Sequence, residues 1–101
     1  SLTIAPDDQA HWSVQIGNFA QRVNAHKAAI RARRMADTAL GMTPANLTLV
    51  TRGEMPLWRV RFNDLDESQA RSACAALFAE GSPCIAIRTP ISNGQATANN
   101  S

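Results

Sequence analysis

Residues 11–40, HWSVQIGNFAQRVNAHKAAIRARRMADTAL, change hydrophobic period once, and that change sets the fold class. In HWSVQIGNF, apolar Trp12, Val14 and Ile16 alternate with polar Ser13 and Gln15, the period of a strand with one buried face. From Ala20 onward the spacing lengthens: Ala25, Ala28, Ala32, Met35, Ala36 and Ala39 recur three or four residues apart, while Lys27, Arg31 and Arg34 fall on another face. That is an amphipathic helix with an alanine-lined seam, small enough in side chain to sit close on a sheet. Gly41 followed by Pro44 supplies its stop.

Downstream, LTLVT and LWRVRFN read as two further strands, turned around residues 52–56 by Gly53 and Pro56 into an antiparallel hairpin. A second helix starts at Asp66, a capping residue with Gln69 three positions on to complete a capping box and Leu65 just before it. Ala70, Ala73, Cys74 and Leu77 form its buried stripe, and Gly81 with Pro83 closes it. CIAIR then supplies a fourth short strand. The predicted order is βαββαβ, an α+β split-βαβ fold of the ferredoxin or RNP-like kind: a single antiparallel sheet with two helices on one face. Residues 1–10 read as a linker and residues 90–101 as a disordered tail, which leaves the domain at 11–89.

At 101 residues the chain has room for one core, and 45% apolar with 18% charged residues is a globular composition. The formal charge of +2 is far from the basic excess of a dedicated nucleic-acid binder. No run approaches the roughly 20 apolar residues a membrane-spanning helix needs, so no membrane insertion is expected. The chain begins at Ser1 without a methionine, so the lack of a signal peptide carries no information about export. Cys74 and Cys84 have neither the paired short spacings nor the flanking histidines of a zinc site, and neither metal nor cofactor is expected. No triad, phosphate loop or paired carboxylates can be assembled either, so the chain is not read as an enzyme and no catalytic residue is assigned.

Strand alternation sends Trp12, Val14, Ile16, Trp58, Val60 and Phe62 toward the helices, so both tryptophans are read as core rather than as platforms for sugar stacking. Ser13, Gln15 and Gly17 then face the other way, with Leu57, Arg59 and Arg61. In the usual strand order of this fold the first and third strands are central neighbours, which puts Gln15 beside the two arginines on a polar, cationic floor. Taken alone, Arg59 and Arg61 read as solvated residues on an open face rather than as a binding site. Lys27, Arg31 and Arg34 are read as a solvated helix face, and His11 and His26 as surface residues.

WSVQIGNFAQRVNAHKAAIRA resembles the opening of SPOR domains, whose pattern is roughly W-x-V-Q-h-G-[SA]-F followed by a helix with Asn-Ala or Glu-Ala near its start. WRVRFNDLDESQARSACAALFAEG is similar to that family's second half, an aromatic-R-V-R-V-G-P-F strand followed by a helix ending in L-x-x-x-G. The two stretches cover about residues 12 to 88. The resemblance implies a non-catalytic module that binds peptidoglycan glycan strands lacking stem peptides, anchoring a cell-envelope protein in the periplasm, at the division septum. Carried over by position, the glycan-binding residues are Gln15, Gly17, Asn18, Arg59 and Arg61. Two departures stand out: Asn18 replaces the usual Ser or Ala, and Asn63-Asp64-Leu65 replaces the usual Gly-Pro-Phe.

The chemistry suits that implication. Muramic acid without its peptide keeps a free carboxylate, which the planar donor fork of Arg59 or Arg61 can meet in bidentate fashion. Sugar hydroxyls and acetamides need mixed donors and acceptors, which Gln15 and Asn18 supply from one side chain each. The rival functions are an RNA-binding module, weakened by the absence of outward aromatics, and a ferredoxin-like regulatory or dimerisation domain. The first reading expects a monomer with no nucleic-acid partner. A cysteine within the second helix and another opening the last strand resembles SPOR domains attached to bacterial D-alanyl-D-alanine carboxypeptidases, whose catalysis would lie outside this chain. In an exported domain, Cys74 and Cys84 are expected to form a disulfide between the second helix and the fourth strand, the alternative being two reduced, buried thiols.

Overall fold

The computed structural model describes residues 11–89; the linker and tail expected at 1–10 and 90–101 lie outside the described residues. In chain order the elements are β1 (His11–Phe19), α1 (Arg22–Met35), α2 (Asp37–Leu40), β2 (Ala45–Arg52), β3 (Met55–Leu65), α3 (Glu67–Ala79) and β4 (Ile85–Thr89). The four strands form one sheet in the order β2-β3-β1-β4, with every pairing antiparallel. This is the α+β, βαββαβ arrangement that the sequence implies, with one short helix added.

A single core lies between the sheet and the helices. Val14, Val60 and Phe62 are fully buried from the central strands, and Leu40 and Leu77 from the helical layer. The rest of the helical contribution is mostly alanine: Ala25, Ala29 and Ala32 from α1, Ala36 and Ala39 just beyond, and Ala70 and Ala73 from α3. Trp12 and Trp58 are half-buried against this core, as expected from their phase. Each is covered by an arginine from a helix, Arg71 at 5.5 Å from the Trp12 ring centre and Arg22 at 5.6 Å from that of Trp58.

The expected first helix ends early. It stops at Met35, Ala36 leaves helical geometry with φ −116° and ψ 49°, and the chain resumes helix for one turn from Asp37 to Leu40. Neither glycine nor proline marks the break. The redirected turn instead buries Ala39 and Leu40 and packs against α3, a tertiary gain that an uninterrupted helix would forgo.

The ends of α3, by contrast, follow local chemistry. The backbone N–H of Gln69 donates to Asp66 Oδ1 over 2.7 Å, and that of Asp66 donates back to Gln69 Oε1 over 3.1 Å, a complete capping box. At the other end Gly81, at φ 77°, donates to the carbonyl of Phe78 and Ser82 to that of Leu77, the two bonds of a Schellman motif. Cys74 on the buried stripe of α3 is disulfide-bonded to Cys84, with a Cα–Cα distance of 5.2 Å across a sequence separation of 10. The bridge ties the edge strand β4 to the helix above it. With five large side chains fully buried among the described residues, such a link matters: closing a loop of this length contributes about 3 kcal/mol by the chain-entropy argument.

Candidate functional site on the open sheet face

The face of the sheet turned away from the helices carries the candidate residues, and strand register sorts them into rows. Gln15 of β1, Arg61 of β3 and Asn46 of β2 are successive cross-strand partners, with Ile85 of β4 on the far side of Gln15. The next row holds Asn18, Arg59 and Thr48. Partners in a ladder project to the same side, so the floor carries two guanidinium groups flanked by three amides and a hydroxyl.

Within the first row Arg61 Nε donates to Gln15 Oε1 over 3.0 Å. This bond orients the guanidinium and takes one of the two acceptor sites of the amide oxygen, leaving the amide N–H groups of Gln15 as donors for another partner. In the second row Asn18 Oδ1 and Arg59 Nε are both buried and make no hydrogen bond. An unmatched buried polar atom costs roughly 1–3 kcal/mol, so one unfilled acceptor and one unfilled donor in adjacent residues leave this row less well satisfied than the first.

Electrostatics point the same way. Arg61 is pushed below its ordinary pKa, first by burial and second by the like charge of Arg59 two residues away on the same face. Among the described residues neither arginine has a carboxylate partner; the ion pairs there are Arg71 with Glu67 and, when the imidazole is protonated, His11 with Asp64. A bound anion would relieve both the desolvation and the repulsion. Among the described residues no cluster of His, Cys, Asp and Glu could hold a metal ion. No helix among them is long and apolar enough to cross a membrane.

Four of the five residues singled out from sequence therefore share this face, and Gly17 does not. Strict alternation puts Gly17 outward and Asn18 inward; the structure reverses both. Ile16 and Gly17 stand together against the single residue Val60, a β-bulge that advances the phase of β1 by one residue. Gly17 adopts φ 152°, where side chains are rarely found, and a Cβ there would lie 3.2 Å from the Phe19 ring. Its contribution to the face is indirect, since the bulge is what brings Asn18 beside Arg59. A glycine inside an otherwise alternating strand is the signal that could have revealed it.

A second bulge lies at the stretch where the family's usual Gly-Pro-Phe is replaced. Trp12 pairs with Leu65 and Val14 with Phe62, so Asn63 and Asp64 oppose Ser13 alone, and Asp64 sits at φ 62°. Aspartate is among the few side chains that tolerate this conformation. The extra residue keeps both Phe62 and Leu65 in the core. Asn46 and Thr48 were not singled out from the sequence, although the polar phase of β2, alternating with Leu47 and Leu49, carries the signal.

The family model for the SPOR domain matches residues 8–88. Among solved structures, the SPOR domain of RlpA from Pseudomonas aeruginosa aligns with a TM-score of 0.51 at 17% identity, covering 77% of this chain and 99% of that one. The peptidoglycan-binding domain of the B. subtilis cell wall lytic enzyme CwlC aligns with a TM-score of 0.48 at 19% identity, covering 88% and 98%. A comparison with curated proteins finds no significant match.

Proposed function

The chain belongs to the SPOR domain family, and we propose that it is a non-catalytic module that binds peptidoglycan through the open face of its sheet, on glycan strands stripped of stem peptides. The observation that carries this reading is the pair of arginines, Arg59 and Arg61, that have no carboxylate partner among the described residues and are set among Gln15, Asn18, Asn46 and Thr48. A denuded glycan offers the matching chemistry. The lactyl carboxylate of muramic acid is an anion for the guanidinium groups, and its acetamides and hydroxyls complement the amides. A stem peptide occupies that same carboxylate as an amide and adds bulk, so it removes the charge and obstructs a strand lying along the floor.

The disulfide supports a cell-envelope setting, because oxidising compartments let such bonds persist. In this reading the module works as a monomer in the periplasm and holds a larger envelope protein, a D-alanyl-D-alanine carboxypeptidase in the version drawn from the cysteine pattern, at the division septum. An RNA-binding role finds little support, since the outward positions at the centre of β1 and β3 carry no Phe, Tyr or Trp on which a base could stack.

The test is retention of the protein on purified sacculi, intact and after amidase treatment. Preferential retention on the amidase-treated material is expected; equal retention on both would overturn the preference for denuded strands, and no retention on either would overturn the peptidoglycan reading itself.

A further inference from the structure

The outer face of α1 has a composition that glycan binding on the opposite face leaves unexplained. Of the chain's ten lysines and arginines, α1 holds five, Arg22, Lys27, Arg31, Arg33 and Arg34, and it holds none of the eight acids. Two of the five are committed to the fold: Arg22 lies over the Trp58 ring, and Arg33 donates to the carbonyl of Thr43 over 3.0 Å and covers the Phe62 ring. Lys27, Arg31 and Arg34 are exposed and, among the described residues, form no ion pair.

Between these cations sit two aliphatic residues that the core does not use, Val23 at 54% exposure and Ile30 at 40%. Val23, Lys27, Ile30 and Arg34 follow one another at spacings of four, three and four, so they form one line along the helix. The buried positions Ala25, Ala29 and Ala32 lie on the other side. A helix face that alternates cations with exposed aliphatics suits a surface that is both anionic and apolar just below its charge. A folded acidic partner would call for a shaped site, and a soluble polyanion would make no use of Val23 and Ile30.

We infer that the outer face of α1 is a peripheral docking face for an anionic lipid surface, with Lys27, Arg31 and Arg34 meeting lipid phosphates and Val23 and Ile30 resting at the headgroup boundary. The face opposes the sheet floor, so the two sites do not compete. Binding is salt-dependent and weak for one copy, because three cations and two aliphatic side chains make a small anchor.

The experiment is co-sedimentation of the 101-residue chain with vesicles of phosphatidylglycerol and phosphatidylcholine, against vesicles of phosphatidylcholine alone, at low and physiological salt. The anionic vesicles should retain the protein and the neutral ones should not. Replacing two cations, Lys27→Gln with Arg34→Gln, should lower the partition coefficient roughly twenty-five-fold, taking each cation as about fivefold. Val23→Ser with Ile30→Ser should also lower it, whereas Arg59→Ala with Arg61→Ala should leave it unchanged. Loss of binding in the last variant would assign the effect to the sheet floor and overturn the inference. So would equal binding to neutral vesicles, no binding to either, or a Val23/Ile30 variant that binds as well as the parent, since that last result describes a general polyanion site. Circular dichroism of each variant separates loss of the face from loss of the fold.

Discussion

The two faces of the same two strands differ more than any two separate elements of this molecule do. On one side Val14 and Phe62, cross-strand partners, are fully buried among alanines and leucines. One residue further along each strand, Gln15 and Arg61 are also partners, yet they are half-exposed, joined by a side-chain hydrogen bond, and share their surface with Arg59, which has no ion-pair partner among the described residues. The contrast separates stability from recognition: the core face carries the hydrophobic free energy, and the open face keeps charge and hydrogen-bonding capacity unspent.

If that division holds, the largest stability loss comes from the core side. Phe62→Ala removes the largest fully buried side chain and should destabilise the domain by about 3–5 kcal/mol in urea denaturation. A loss under about 1 kcal/mol would mean that the core lies elsewhere. Next is the disulfide. Replacing both Cys74 and Cys84 with serine should cost about 3 kcal/mol, read as a lower melting temperature that reductant no longer changes. A wild-type melting point insensitive to reductant would contradict it.

Gly17→Ala probes a position where the two faces are coupled. The backbone there disfavours a side chain and a Cβ would press on Phe19, so a loss of about 1–3 kcal/mol in stability is expected. Binding to amidase-treated sacculi should fall with it, because the bulge sets Asn18 beside Arg59. Retained binding in a folded Gly17→Ala protein would separate the bulge from the site. The smallest stability effect is expected for Arg61→Ala, within about 0.5 kcal/mol, as for most substitutions away from the core. The same change should weaken glycan binding by about 1–3 kcal/mol if a charge-assisted contact is lost. Unchanged affinity on titration with denuded glycan would move the site off this row.

The sequence alone determined what depends on neighbours along the chain. The strand at 11–19, the capping box at Asp66 and Gln69, the stripe of Ala70, Ala73, Cys74 and Leu77 and the stop at Gly81 all rest on periodicity or on hydrogen bonds within a few residues, and all appear in the structure. So does the placing of Gln15 on one face with Arg59 and Arg61, because strand order and alternation suffice for that, although the pairing of Gln15 with Arg61 rather than Arg59 depends on the register. What only the tertiary structure decided depends on partners distant in sequence. The break of α1 at Ala36 has no local breaker and follows from burying Ala39 and Leu40 against α3. The outward turn of Asn18, and the inward one of Gly17, arise because two residues of β1 oppose one of β3, a mismatch that neither strand shows by itself. Asn46 and Thr48 join the floor only once the register of β2 against β3 is fixed. Periodicity specifies which face a residue occupies while the period holds; a one-residue bulge reverses that assignment, and only pairing between strands reveals it.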